Sequence, residues 1–250
     1  MTLFDRERID YVNDSLSLIQ KTDGLTFGTD ALLLAGYVSG KYASGVELGG
    51  GSGIISMLLL TRDKLRFTTA VEVQEEYVEL TRRNAELNGL SDRLISLCSD
   101  VRELKGESTA DIVYTNPPYM RNDSGKANLT GAKNIARHEV FGGIGDFCAA
   151  AKRLLKYGGT FAAVYRPDRL CDLITEMRSS GIEPKRMTFV TANTHTEPSM
   201  VLVEGRLGGK SGLFVTPPLI LYKDDNNTEY SDDMNYIMEN GSFPSGFVKR

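Results

Sequence analysis

Four consecutive residues, Asn116-Pro117-Pro118-Tyr119, combine hydrogen-bond acceptors and a flat ring in a way that suits one kind of chemistry. They follow Asp111-Ile112-Val113-Tyr114-Thr115, an apolar run of strand character. The Asn116 side chain offers a carbonyl oxygen. The Pro117 carbonyl offers a second acceptor, and a proline has no N–H to compete as a donor. Two acceptors side by side match the two hydrogens of an exocyclic –NH2 group. Tyr119 supplies a face on which the ring carrying that group stacks, and Pro118 borders it. The plain alternative is a rigid turn closing a strand, because paired prolines make turns.

The elements upstream bear on that choice. Residues 45–48 read as a short buried strand that runs into Gly49-Gly50-Gly51-Ser52-Gly53 and then a helical run over 54–61. Strand, glycine-rich turn and helix is the nucleotide-cofactor layout of doubly wound α/β folds. The spacing is Glu47-x-Gly49-x-Gly51-x-Gly53. It is neither the dinucleotide pattern GxGxxG nor a phosphate loop, since no Gly-Lys-Ser/Thr follows. A leading acid repels phosphate and accepts from the cationic amino-acid end of a ligand. Residues 67–73 form a second strand, ending at Glu72 and Val73. There an acid stands close to the spacing at which it accepts from ribose hydroxyls. A helix over 75–88 and a strand over 94–98 follow, the latter ending at Asp100 and Val101. Glu47, Glu72, Asp100 and Asn116 thus each end a successive strand, on the edge where open α/β sheets bind ligands. Singly, each reads equally well as a helix cap or a solvated loop residue.

The remaining pattern supplies the scaffold. Residues 15–20 alternate as a half-buried strand. Thr29 or Asp30 is placed to cap a helix over 31–38. Residues 120–140 are a long polar loop leaving the chemical centre, and such loops are often functional. Within it, His138 has three readings, a base, a hydrogen-bonded structural histidine or a phosphate contact, the last two ahead of the first. A helix over 146–157, a turn at Gly158-Gly159, a strand over 160–165 and a helix over 168–180 come next. Strands over 185–191 and 200–204 form a hairpin, and a strand over 219–222 follows. Gly208-Gly209-Lys210-Ser211 lacks the earlier glycine and the following helix of a phosphate loop.

The chain has 250 residues, 41% hydrophobic and 25% charged, which suits one large domain with small extensions. Its apolar runs are too short to cross a bilayer, and its N-terminus lacks the pattern of a signal peptide. Cys98, Cys148 and Cys171 form neither a metal spacing nor a disulfide framework. The expectation is a cytoplasmic protein with no membrane segment and no metal. A net charge of −4 and a pI of about 5.4 argue, taken alone, against a nucleic-acid partner. The distribution argues otherwise. Residues 119–186 hold 12 Lys/Arg against 7 Asp/Glu, whereas residues 224–239 hold 6 acids and no base. A basic middle makes a face suited to phosphates; mixed solvated helix faces give the same count.

Together, Glu47-x-Gly49-x-Gly51-x-Gly53 and Asn116-Pro117-Pro118-Tyr119 resemble the class I S-adenosylmethionine-dependent methyltransferases of the amino-methylating branch. Further stretches resemble the bacterial tRNA(Val) adenosine-37 N6-methyltransferases: Phe27-Gly28-Thr29-Asp30-Ala31, Ala136-Arg137-His138-Glu139, Tyr165-Arg166-Pro167-Asp168-Arg169-Leu170 and Glu197-Pro198-Ser199-Met200. The chain departs from the wider class by a triple-glycine loop and by Glu where Asp is usual. The resemblance implies a doubly wound, Rossmann-like α/β fold with a seven-stranded, mostly parallel sheet and an antiparallel last strand. It implies one domain: an extension over 1–40, a core over 41–207, and a C-terminal strand and acidic tail over 208–250. It implies that S-adenosylmethionine is held by Glu47, Gly49, Gly51 and Gly53 at its methionine part, with Thr29 approaching from above. Glu72 and Val73 take the ribose, Asp100 and Val101 the adenine, and Asn116 the reacting end. Asn116, Pro117 and Tyr119 are then catalytic. Pro118, Arg121, Lys126, Lys133 and Arg137 contact a tRNA substrate. Two other readings remain open: a glutamine amide offers the same –NH2 to the same acceptors, and the chain could be a non-catalytic RNA- or cofactor-binding module.

Overall fold

In the computed structural model, residues 3–22, 27–106, 108–117 and 142–248 are described. Strand β1 (Glu7–Asn13) pairs antiparallel with β2 (Leu16–Lys21) as a separate hairpin. Then follow α1 (Thr29–Tyr37), β3 (Tyr42–Leu48), α2 (Ile54–Thr61), β4 (Leu65–Glu72), α3 (Glu75–Leu87), β5 (Leu94–Cys98) and β6 (Ala110–Thr115). The second half comprises α4 (Ile144–Leu154), β7 (Leu155–Tyr165), α5 (Leu170–Ser179), β8 (Ile182–Thr191), β9 (Met200–Leu207), β10 (Phe214–Val215), β11 (Leu219–Ile220) and α6 (Asp232–Asn240).

The large sheet runs β5-β4-β3-β6-β7-β9-β8, with β10 and β11 paired parallel to β8 at the edge. The first five are mutually parallel, and β9 lies antiparallel between β7 and β8. This bears out the doubly wound α/β expectation, with two short strands added to the seven. From β3 the chain winds one way through β4 and β5. It then returns to β6 on the other side of β3. The carboxyl ends of β3 and β6 therefore flank the point where strand order reverses, the crevice in which such sheets bind ligands.

Both faces of the sheet are covered, so its central strands are apolar on both sides rather than alternating. In β6, Ile112 and Tyr114 enter one core with Leu33, Leu58 and Ile237, while Val113 enters the other with Leu48, Phe147, Phe161 and Met177. Side chains two apart share a face, so β6 knits the two cores together. The hairpin is fastened by a different device. Asn84 on α3 and Asn88 at its C-terminal cap stand one turn apart. Asn84 accepts from the Ile19 N–H at 2.7 Å and donates to the Ile19 carbonyl at 3.2 Å. Asn88 does the same for Ser17 at 3.0 and 2.8 Å. Two amides thus satisfy the edge of β2 as a neighbouring strand would.

In the second half of the chain, two sequence expectations differ from the structure. The helix expected to reach residue 157 ends at Leu154, because Leu155 is 1% exposed and already pairs with Ala110 in the sheet. The ladder then slips between Ala110 and Ile112, with Gly158 at φ 78° taking up the irregularity. The acidic tail holds a helix that the sequence reading missed. Ser231 caps α6 by accepting from the Met234 N–H at 3.1 Å, and Asp232 and Asp233 sit in its first turn, where negative charge is favoured. Met234 and Ile237 pack into the core, as do Phe243 and Phe247 beyond the helix. Buried Arg186 ties this tail down, donating to the carbonyls of Tyr37 and Phe247 and to Glu204 at 2.7 Å.

Replacing Asn84 by Ala strands the buried Ile19 amide and carbonyl. The expected loss is about 1–3 kcal/mol of unfolding free energy. Urea denaturation with an unchanged slope checks it.

Candidate active site

The glycine loop is held open from outside. Gly49, Gly51 and Gly53 lie at φ 72°, 53° and 78°, left-handed conformations that favour glycine. The Gly49 and Gly50 N–H groups each donate to the Val71 carbonyl at 2.9 Å. Thr81 Oγ1 donates to the Gly51 carbonyl at 2.8 Å, and Asn84 Nδ2 to the Ser52 carbonyl at 3.1 Å. A Cβ on Gly53 would stand 2.7 Å from the Thr81 methyl, so α3 closes directly against the loop. A Cβ on Gly51 would meet nothing within 4 Å and would project into open space.

Glu72, 8% exposed at the end of β4, is built into this loop. Its Oε2 accepts from the Gly51 N–H at 3.0 Å. Its Oε1 accepts from the N–H groups of half-buried Val73 and of Gln74 at 2.9 and 3.0 Å. Asp100 ends β5 one strand further out. Its carboxylate accepts from the Arg102 N–H at 2.8 Å and from the guanidinium. The guanidinium holds the Asp100 carboxyl below the usual carboxylate range. Val101 is buried, and Arg153 Nη2 donates to its carbonyl at 2.9 Å.

Glu47 sits inside rather than at an open surface: it is 1% exposed. Its Oε2 accepts from the Ser56 N–H at 3.1 Å and from Ser56 Oγ at 2.5 Å. Ser56 Oγ lies 2.7 Å from Tyr114 OH, which lies 2.8 Å from Thr68 Oγ1. This buried polar chain links β3, α2, β6 and β4. Burial pushes the Glu47 carboxyl up to about 8, against the Ser56 hydrogen bonds; nearby Glu72 adds to the rise.

Asn116 ends β6, half-buried, followed by buried Pro117. Thr115 Oγ1 donates to the Leu48 carbonyl at 2.7 Å and so closes the end of β6 onto β3, beside the glycine loop. Asn116 Nδ2 donates to Asp30 Oδ2 at 2.8 Å. Thr29 is the first helical residue of α1, half-buried, and Gly28 rather than Thr29 or Asp30 is the residue capping that helix. Asp30 Oδ1 accepts from the adjacent Ala31 N–H at 2.9 Å. The sequence reading passed over Asp30 as a cap. Its signal was an acid beside Thr29 in a glycine-led turn, and nothing in the sequence places it 86 residues away on Asn116.

The expectations at Pro118, Tyr119, Arg121, Lys126, Lys133, Arg137 and His138 lie outside the described residues. Among the described residues, no cluster of three or more His, Cys, Asp or Glu could hold a metal ion. No helix among them is long and apolar enough to cross a membrane.

The family model "Methyltransferase small domain" matches residues 21–174. A relative from Phocaeicola vulgatus is 29% identical over 177 residues, covering 70% of this chain and 74% of its own. One from Dyadobacter fermentans is 25% identical over 202 residues, covering 80% and 83%. Both carry the name tRNA1(Val) (adenine(37)-N6)-methyltransferase. The crystal structure of a predicted O-methyltransferase from Agrobacterium tumefaciens superposes with a TM-score of 0.69 at 22% identity, over 86% of this chain and 98% of that one. That of M. jannaschii TYW2 in complex with AdoMet gives 0.56 at 15% identity, over 82% and 88%.

The Glu47 carboxyl holds its proton more tightly folded than unfolded, where its ordinary value is 4.5. Its stabilising contribution is complete below about pH 4.5 and is lost as pH rises through about 8. Unfolding free energy should therefore fall across that window by up to about 1.4 kcal/mol per pH unit. Glu47→Gln should flatten this limb, as read by urea unfolding at a series of pH values.

Proposed function

The chain belongs to the methyltransferase small domain family, and from that premise we propose that it transfers a methyl group from S-adenosylmethionine to N6 of an adenosine in tRNA, at position 37 of the anticodon loop of tRNA(Val). The observation that carries the reading is the seating of Asn116 and Pro117 at the end of β6, locked by Thr115 to the end of β3 and the glycine loop. The shared name of the relatives supports the choice of acceptor.

The residues present fit the cofactor. Open space over Gly51 accommodates a ligand where any side chain would intrude. Glu72, its carboxylate already oriented by three backbone N–H groups, would take the ribose hydroxyls. Asp100 would take the adenine amino group, and the turn at Thr29 would border the methionine part. When bound, S-adenosylmethionine supplies a sulfonium-activated methyl group.

The protein's part is to ready the nucleophile. An adenine amino nitrogen is weak because its lone pair is delocalised into the ring. Asn116 and the Pro117 carbonyl accept its two hydrogens and draw the nitrogen toward tetrahedral geometry, which returns the lone pair to it. The cofactor would supply the methyl group to that nitrogen and would keep the C–S bonding pair as a neutral thioether. The methylated nitrogen, now cationic, then loses a proton to water. The acceptors gain most as positive charge builds on the nitrogen, so they favour the transition state over bound substrate. Alignment of the two reacting atoms does much of the rest. Arg121, Lys126, Lys133 and Arg137 would bind tRNA phosphates, and Tyr119 with Pro118 would stack the splayed base.

Asn116→Ala is expected to lower kcat by about 10²–10³-fold with a small change in KM, measured as labelled methyl transfer to bacterial tRNA. Near-normal turnover would exclude this role. Binding of tRNA should also weaken steeply with salt, as phosphate contacts require. A shallow dependence would favour a peptide amide as acceptor.

A further inference from the structure

We propose that Asp30 is a positioning residue that fixes which end of the Asn116 amide faces the acceptor amino group; this rests on the amino-methylation reading above. An Asn side chain presents its oxygen or its NH2 in nearly the same outline, and a half-turn exchanges acceptor for donor. Only one of the two orientations can take a hydrogen from an amino group; the other sets N–H against N–H. A neighbour that can only accept settles the matter, and an ionised carboxylate is such a neighbour. Asp30 Oδ2 lies 2.8 Å from Asn116 Nδ2, so the NH2 end is turned to Asp30 and the carbonyl end away from it.

The carboxylate is itself held. Asp30 Oδ1 takes the Ala31 N–H at 2.9 Å in the first turn of α1. A Cβ at Gly28 would come within 2.8 Å of that same Oδ1, so the residue before Thr29 has to be small where the carboxylate is seated. The turn is anchored from behind as well. Gln20, 2% exposed on β2, accepts from the Phe27 N–H at 2.7 Å. Asn88 and Asn84 in turn fix β2. An unbroken series of contacts thus runs from α3 through the hairpin to α1, and from there across to the end of β6.

A charge-assisted bond on Nδ2 also polarises the amide, moving electron density onto Oδ1. That makes Oδ1 a better acceptor as the reacting nitrogen becomes cationic, so the benefit falls on kcat rather than on substrate affinity.

The test is a double-mutant cycle in the full-length protein. Asp30→Ala should lower kcat for tRNA methylation about 10- to 100-fold, with the Kd for S-adenosylmethionine and the KM for tRNA within about threefold. Asp30→Asn keeps the shape and can still accept, but it can also donate, so it should fall between wild type and Asp30→Ala. In an Asn116→Ala background, Asp30→Ala should cost less than about twofold more, because the residue it acts through is already gone. An equal fall in both backgrounds would mark Asp30 as merely structural, and no fall in either would overturn the proposal. A second readout does not depend on the acceptor: the Asn116 side-chain NH2 resonances, assigned by their loss in Asn116→Ala. These should shift between wild type and Asp30→Ala; unchanged resonances would overturn the proposal. Shifted resonances in a wild-type protein that does not methylate tRNA would uphold the positioning and reject the tRNA acceptor.

Discussion

Everything at the site depends on the parallel pairing of β3 with β6. Their register sets Leu48 against Thr115, and the Thr115 hydroxyl bonds the Leu48 carbonyl at 2.7 Å. One residue beyond each partner the chain leaves the sheet, into Gly49 on one side and Asn116 on the other. The glycine loop and the Asn116-Pro117 pair are thereby set next to each other by backbone geometry. Because side chains alternate along a strand, a one-residue slip would turn Val113 into the core of Ile112 and Tyr114 and carry Asn116 to the other face. The apolar filling of both cores therefore guards the register on which the chemistry rests.

Beneath this pairing lies a line of polar groups that a purely apolar core would not contain. Glu47, Ser56, Tyr114 and Thr68 are all at most 4% exposed and bond one to the next. Such a chain is tolerable only when its members are satisfied, since a buried polar atom left alone is costly. Its Ser56 end reaches the first turn of α2, so the carboxyl also meets the positive end of that helix. The glycine loop is held from the side by Glu72, Thr81 and Asn84, while Glu47 holds Ser56 in the helix that follows it. The loop's open conformation is thus imposed by its neighbours, not by its own sequence alone.

Much of this was legible in the sequence because the informative features are local. The glycine loop, the acids ending β4 and β5, and the Asn-Pro pair ending β6 all announce themselves through residue type next to a strand. Their phase along the chain was enough to place them on one edge. Other features were not legible, each for a physical reason. The place of Glu47 depends on which face of β3 it occupies, and the turn that follows hides this. The end of α4 was set by pairing of Leu155 with Ala110, a contact between distant residues that overrides helix propensity. The roles of Asn84, Asn88 and Asp30 lie in tertiary hydrogen bonds. Helical Asn residues read as ordinary surface, and an Asp at a helix start reads as a cap.

The central claim is that this site methylates the amino nitrogen of an adenine in RNA. The most direct measurement is nucleoside analysis of unfractionated bacterial tRNA after incubation with the protein and methyl-labelled S-adenosylmethionine. The account predicts label in N6-methyladenosine. Unlabelled tRNA, with label recovered as methylated glutamine in a protein fraction, would contradict it.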